Sequence, residues 1–343
     1  MAAQQDQVNP ATATAAISPP IYISTPTLRS IITHRALIDH LKRTLPTNST
    51  AIQSPLRHAH QTSPASSLLL MPSWSNSPSL PYIGVKLVTF NSNNSTLNLP
   101  GVHASYVLFN SLTGQTLASM DATELTLYRT SCISALASEY LSRKDSQTLL
   151  MIGAGAMAPH LIRAHVTVRP SLKRVIVWNR SVEKAKALVD NLRKEGGFDE
   201  GLSFEECNGS LEEFVRVADI VSCATCSETP LVKGQDLKNG AHLDLVGSFT
   251  HSMRECDDEA IRRSRVFIDN EAATVEAGEL VGALERGVIS RDDIVGDLVE
   301  LIKREKVVGR RDEEEITVFK SVGSAVVDLI SAQMVYETYM NDH

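Results

Sequence analysis

The run "QTLLMIGAGAMAPHLIRAHVTV", Gln147 to Val168, leaves little choice of fold. Leu149 to Ile152 is continuously apolar, as a strand covered on both faces requires. Gly153-Ala-Gly155-Ala-Met-Ala158 follows at once, and a helical pattern follows that. Strand, G-x-G-x-x-A turn and helix predict the first βαβ unit of a doubly wound, Rossmann-type α/β domain. In such a unit Gly153 permits the tight turn. Gly155 lets the backbone approach a pyrophosphate, and Ala158 lets helix and strand pack closely. The helix start adds unpaired N–H groups and partial positive charge.

The next strand, "KRVIVWNRS", sharpens the expectation. A carboxylate at its end would accept hydrogen bonds from both ribose hydroxyls and repel a 2′-phosphate. Here Asn179, Arg180 and Ser181 stand instead. Arg180 can pair with a phosphate dianion, and Asn179 and Ser181 can donate to it. The expected cofactor is NADPH, with NADH use compatible because nothing in the motif rejects it.

Further short apolar strands ("LSFEEC", "DIVSCA", "HLDLVG", "RVFID") continue the second domain. The segment from Ile21 to Thr116 reads as short strands between Gly, Pro, Asn and Ser turns, with Thr113-Gly114 as a hairpin turn. Asp121 opens a long helix, and Glu124 stands at capping-box spacing. The pattern divides the chain into a tail (1–20), a discontinuous α+β substrate-binding and dimerisation domain (21–135 and 314–343), and the dinucleotide domain (136–313). In this division the last strand, "EITVFKS", and the amphipathic helix after it cross back to the first domain. The tail is rich in Ala, Thr, Gln and Pro and reads as disordered. Its acid-poor, hydroxylated character fits a plastid transit peptide only in part, since arginines are missing before Arg29. Plastid and cytoplasm both stay open.

The net charge of −7 over 343 residues argues against a general nucleic-acid or anionic-membrane surface. Five cysteines, an odd count, suggest a reducing compartment. Cys223 and Cys226 form an isolated C-x-x-C without a second ligand pair, so no metal site is expected. Three cations stand inside motifs of the first domain: Arg57 in "SPLRHAH", Lys86 in "YIGVKLVTF" and Arg129 in "LYRTS". Lys86 interrupts an apolar strand, where an unpaired ammonium is costly. Taken alone, each reads as a snorkelling side chain or a functional one. His58, His60 and His103 read as surface or packing histidines.

Together, "LMPSW", "GVKLVTF", "LPGVHASYVLFNSLTGQTLASMD", "LYRTS", "MIGAGAMAPHL", "VWNRS", "AHLDLVGS", "EAGEL" and "ITVFKSVGSAVVDL" resemble the ornithine cyclodeaminase/mu-crystallin family, in order and over all but the first 20 residues. The likeness is greatest to its plant branch, whose members reduce dehydropipecolate (a piperideine-2-carboxylate) to pipecolate in systemic acquired resistance. The resemblance implies that Arg57, Lys86 and Arg129 hold a substrate carboxylate, with Lys86 near the reacting nitrogen and Arg129 also close to the cofactor. It places Ala156, Met157 and Ala158 at the pyrophosphate. Asn179, Arg180, Ser181, Thr225 and Cys226 fall on the adenosine side, and Val246, Gly247 and Ser321 on the nicotinamide side. It further implies a homodimer joined through the first domain and a small cyclic imine as partner.

Two departures narrow the activity. Cyclodeaminases carry an aspartate where this chain has Phe249, and a glutamate near the "MP" where it has leucines. Both handles for the basic group of ornithine are absent, and a phenylalanine offers an apolar wall to ring methylenes. The expectation is therefore an NAD(P)H-dependent reductase of cyclic ketimine carboxylates. Ornithine cyclodeaminase and a mu-crystallin-like NADPH and small-ligand binder stand as alternatives.

Overall fold

The computed structural model describes residues 19–97 and 99–342. The tail assigned to residues 1–20 therefore lies almost wholly outside the described residues. Two sheets are built in chain order. The first holds β1 (Ile21–Ile23), β2 (Ile52–Gln53), β3 (His58–Ser63), β4 (Ser66–Ser75), β5 (Tyr82–Asn91), β6 (Val102–Asn110) and β7 (Thr116–Asp121). Its order is β1-β7-β6-β5-β4-β2, with β3 on β4, antiparallel except for β1 on β7. The second holds β8 (Thr148–Ile152), β9 (Arg174–Trp178), β10 (Ser203–Glu206), β11 (Ile220–Cys223), β12 (His242–Leu245), β13 (Ser264–Ile268), β14 (Ile294–Asp297) and β15 (Ile316–Lys320). All its pairs are parallel, in the order β10-β9-β8-β11-β12-β15-β13-β14. The chain reverses direction of winding between β8 and β11, the place where a doubly wound sheet opens its ligand crevice.

Two sequence expectations are corrected. The stretch after β1 holds two helices rather than strands alone: α1 (Thr25–Ile31) and α2 (His34–Asn48). Ser24 and Thr33 cap them through their hydroxyls. Leu37, Ile38, Leu41 and Leu45 fall at helical spacing, and all four are buried. Second, β15 does not cross back to the first domain. It lies between β12 and β13, where all five of its residues, Ile316 to Lys320, are buried. Only the C-terminal helix Ala325–Asp342 returns, packing on α2, β4 and β5. The passage between the domains thus follows Lys320, rather than preceding residue 314.

The helix α3 (Ala122–Leu141) joins the two halves. Asp121 caps it, accepting from Glu124 N at 3.0 Å. The Glu124 carboxylate completes no capping box; it accepts from Arg29 at 2.8 and 2.9 Å. Arg169 closes the other end, donating to the carbonyls of Ser138, Glu139 and Ser142. α3 packs on β6 and on β12 and β15, so one apolar core runs from Leu41 and Tyr106 through Leu136 to Phe267 and Phe319. The hairpin after Asn110 turns at Gly114 (φ 72°), with the Asn110 side chain accepting from Leu112 and Thr113 N–H. Among the described residues, no helix is long and apolar enough to cross a membrane.

On the covered face of the first sheet, Met71, Lys86, Tyr106 and Met120 lie in one cross-strand row. Gly84, two residues before Lys86, lies against Tyr106: an added Cβ would overlap its ring and hydroxyl. Tyr106 is fully buried and cannot swing away. Gly84→Ala is expected to cost about 1–3 kcal/mol through overpacking, read as a lower urea midpoint at unchanged m.

Candidate active site

The crevice side is built by the turn after β8. Gly153 has φ 110°, and a Cβ there would stand 2.6 Å from Ala224 O, so only glycine fits the turn. A Cβ on Gly155 would meet nothing within 4 Å, because the backbone there faces an open cavity. The helix α4 (Met157–Val168) starts behind it with Ala156 as N-cap and no side-chain cap. Its first turn keeps donors for an anion. Ala158 is buried in the core against the sheet.

The cavity is about 370 Å³ and takes in Gly153, Gly155, Asn179, Arg180, Ser181, Thr225 and Cys226. It also takes in Lys184, a cation that the sequence reading missed; its place in the first turn of α5 (Val182–Glu195) is the signal that could have found it. All three residues of "NRS" line this cavity, and two of them also bond within the loop. The Asn179 carboxamide accepts from Ala154 N at 3.2 Å and donates to Ser181 O at 3.0 Å. The Ser181 hydroxyl caps α5 and donates to Glu183 at 2.8 Å. Both side chains shape the loop, and Arg180 and Lys184 are the cations lining the cavity. The residues fit a dinucleotide: glycine where a phosphate must approach, an uncapped helix start and two cations at the adenosine end.

At the ends of β11, β12 and β15 the loops are stitched together. The buried Glu255 carboxylate accepts from Thr225 N and Gly247 N, both at 2.7 Å, and from Thr225 Oγ1 at 2.9 Å. Burial raises its pKa to about 7, with Lys320 opposing and Glu279 adding to the rise. Gly247 has no room for a Cβ beside Thr225. Val246 N bonds Cys223 O at 2.9 Å, and Ser321 N bonds Leu245 O at 3.1 Å. Thr225, Val246, Gly247 and Ser321 thus form one continuous rim. Lys320 and Glu279 lie behind it, both fully buried, 3.1 Å apart. Cys223 is buried and Cys226 exposed, both as free thiols, and among the described residues no group of side chains could hold a metal ion.

The rim leads to the three cations. Lys86 and Arg129 are 3% and 6% exposed, and both meet Asp328 of the C-terminal helix. Lys86 Nζ lies 2.7 Å from Asp328 Oδ2, and Arg129 Nε lies 2.9 Å from Asp328 Oδ1. Burial, then the Arg129 charge and that of Arg57, push the Lys86 pKa down to about 8 although Asp328 raises it. Burial alone would raise Asp328, but Arg129 and Lys86 hold it below the ordinary carboxylate range. The turn Ser321–Ser324 closes the site. Asp269 accepts from Val322 N and Gly323 N at 3.1 and 2.8 Å, and a Cβ on Gly323 (φ 86°) would stand 2.9 Å from the Arg129 guanidinium. Arg57 reaches this turn from the first domain, 3.4 Å from Val322 O, and pairs with Glu276 at 2.8 Å. A second cavity of about 370 Å³ opens beside Arg57, lined by Arg57, Met71, Asn270, Glu276 and Gly323 among others; Lys86 and Arg129 lie behind it and are not among its lining residues.

Sequence reasoning named the cations and missed their counterions. Asp328 and Glu276 were both inside quoted motifs, and the signal for Asp328 was Lys86 itself, since a buried lysine demands a carboxylate. His58, His60 and His103 are exposed. Phe249 is 43% exposed in the loop after β12 and is not among the residues lining the second cavity.

A family model described as ornithine cyclodeaminase/mu-crystallin matches residues 26–343. The chain belongs to that family. Among its relatives, Protein SAR DEFICIENT 4 of Arabidopsis thaliana is 56% identical over 322 residues, covering 94% of this chain and 98% of that protein. A Delta(1)-pyrroline-2-carboxylate reductase of Colwellia psychrerythraea is 38% identical over 78% of this chain and 82% of its own length. Among solved structures, the Thermococcus litoralis Delta(1)-pyrroline-2-carboxylate reductase in complex with NADH and L-proline superposes with a TM-score of 0.87 at 31% identity, covering 94% of this chain and 98% of that one. In this member of the family, the ion triad makes a direct prediction. Asp328→Asn leaves two buried cations without a counterion, so unfolding free energy should fall by about 3–5 kcal/mol, measured by urea titration.

Proposed function

We propose that the protein is a nicotinamide-dependent reductase of cyclic ketimine carboxylates, with dehydropipecolate as its substrate and NADPH as its preferred cofactor. The observation that carries the reading is the Lys86–Asp328–Arg129 triad with Arg57 beside it, in a chain that also holds a separate cavity shaped for a dinucleotide. Two of the relatives are Delta(1)-pyrroline-2-carboxylate reductases, one of them solved with NADH and L-proline, which supports the reaction class. The plant-like motifs support the six-membered ring, a role in plant defence and a plastid location. A neighbour that holds NADH keeps the second coenzyme in play.

The chain's own groups divide the work. Arg57 and Arg129 give a planar carboxylate two guanidinium forks. Together with Lys86 they carry three positive charges, and Asp328 and Glu276 offset two of them. The remainder matches one substrate carboxylate without overcharging the pocket. Lys86, with its pKa near 8, is largely protonated at neutral pH and able to release a proton to the imine nitrogen. Asp328 fixes the ammonium in place and compensates the positive charge that the nitrogen gains. Gly153, Gly155, Arg180, Lys184, Thr225 and Gly247 would hold the dinucleotide, which when bound in its reduced form would supply the hydride for the C=N carbon. Clamping the substrate in a reactive orientation can remove roughly 7 kcal/mol or more of the barrier in the ideal case.

The first sheet supports a homodimer. Its outer face carries Leu70, Trp74, Ile83, Val85, Val107 and Phe109, none of them fully buried. An apolar sheet face of this kind calls for a partner, and a second copy offers the same surface.

The direct test is loss of reduced-nicotinamide absorbance with piperideine-2-carboxylate and pyrroline-2-carboxylate side by side, each with NADPH and NADH. The expected result is turnover of both imines, faster with the six-membered ring, and no ammonia from ornithine. The ring preference should be modest, because one methylene is worth about 1–3 kcal/mol. Absence of turnover with every imine would sink the proposal. A pH profile tests the acid. Protonated Lys86 is the competent form, so kcat/KM should fall as pH rises through about 8. In Lys86→Ala that limb should vanish together with most of the turnover.

A further inference from the structure

We propose that Glu276 is the positioning residue for Arg57, and that this ion pair latches the first domain to the second across the mouth of the substrate cavity. The inference rests on reading Arg57 as a ligand of the substrate carboxylate. Arg57 comes from a weakly supported segment. β2 pairs with β4 up to Gln53–Trp74, and β3 resumes pairing at His58–Leu70. Between them β4 carries Pro72, which has no N–H to donate, so the edge lapses and Ser54, Pro55 and Leu56 run out into solvent. Leu56 is 79% exposed.

The Arg57 side chain nevertheless has a defined direction. Its two contacts, Glu276 Oε2 at 2.8 Å and Val322 O at 3.4 Å, both come from outside the first sheet. Glu276 is a firm anchor. It ends the short helix Ala273–Glu276, and Gly278 just beyond is pressed so closely on the carbonyls of His251 and Met253 that no side chain fits. Arg57 and Glu276 are each 22% exposed, at the lip of the cavity rather than on open surface. The other ion pair at this cavity, Arg291–Glu271, is 3.9 Å apart and largely exposed, and it does not involve Arg57. Glu276 engages Nη2 alone, which leaves the donors on Nη1 and Nε for a planar carboxylate. Without Glu276 the arginine fork samples many rotamers, and the substrate must order it on binding.

Glu276→Gln should raise the KM for the cyclic imine about tenfold, with the coenzyme KM and the melting temperature unchanged and kcat within about twofold. In an Arg57→Ala background the same change should have no further effect, because the group it positions is gone. An additive effect in the double variant, an unchanged imine KM or a lowered one would overturn the proposal. A lowered value would mean that Glu276 competes with the substrate for Arg57. The single variant Arg57→Ala separates the two readings. If its imine KM is normal, the carboxylate clamp fails and the latch with it. If its KM rises while that of Glu276→Gln does not, only the latch fails.

Discussion

The site depends on one carboxylate. Asp328 holds Lys86 and Arg129 at 2.7 and 2.9 Å in a place where all three are nearly shut off from water. Two like charges buried together would repel, and each would forfeit its hydration. The acid between them makes the pair tolerable without neutralising it fully. Net positive charge is left for an anion, and a lysine is left with its pKa drawn down toward neutrality. The three residues come from β5, α3 and the C-terminal helix, so the chain must close almost from end to end before the pocket exists.

That requirement explains why the last strand and the last helix part company. β15 completes the parallel sheet, and four residues later the helix is packed on the first domain. The turn between them, Ser321–Ser324, is where contacts from the two domains meet. Ser321 N bonds Leu245 O, Gly323 lies close to Arg129, and Val322 offers its carbonyl to Arg57. Asp269 pins this turn through two backbone N–H groups. The single core running through α3 keeps the two sheets from sliding, so these contacts hold their register.

A second buried cluster supports the other side of the crevice. Glu255 ties the loop after β11 to the loop after β12 by three hydrogen bonds, with Lys320 and Glu279 behind it. Both buried clusters lie at the carboxyl ends of the parallel strands, where a doubly wound sheet leaves backbone groups unpaired and a ligand can be met.

The parts legible in the chain were those set by local chemistry. The glycine turn, the missing carboxylate after β9, the Asp121 cap and the alternating and continuous strand patterns all depend on residues within a few positions of one another. Helices α1 and α2 carried a readable spacing too, but the turn residues around them gave a competing signal. Local sequence could not say that Asn179 would accept from the Ala154 N–H, since that follows from the position of the glycine turn in space. Nor could it place β15, whose apolar run would suit any sheet buried on both faces. The counterions Asp328 and Glu276 lie hundreds of residues from the cations they meet. A sequence can state that a buried lysine must have a partner, because desolvation demands one; only the folded chain decides which acid stands close enough to serve.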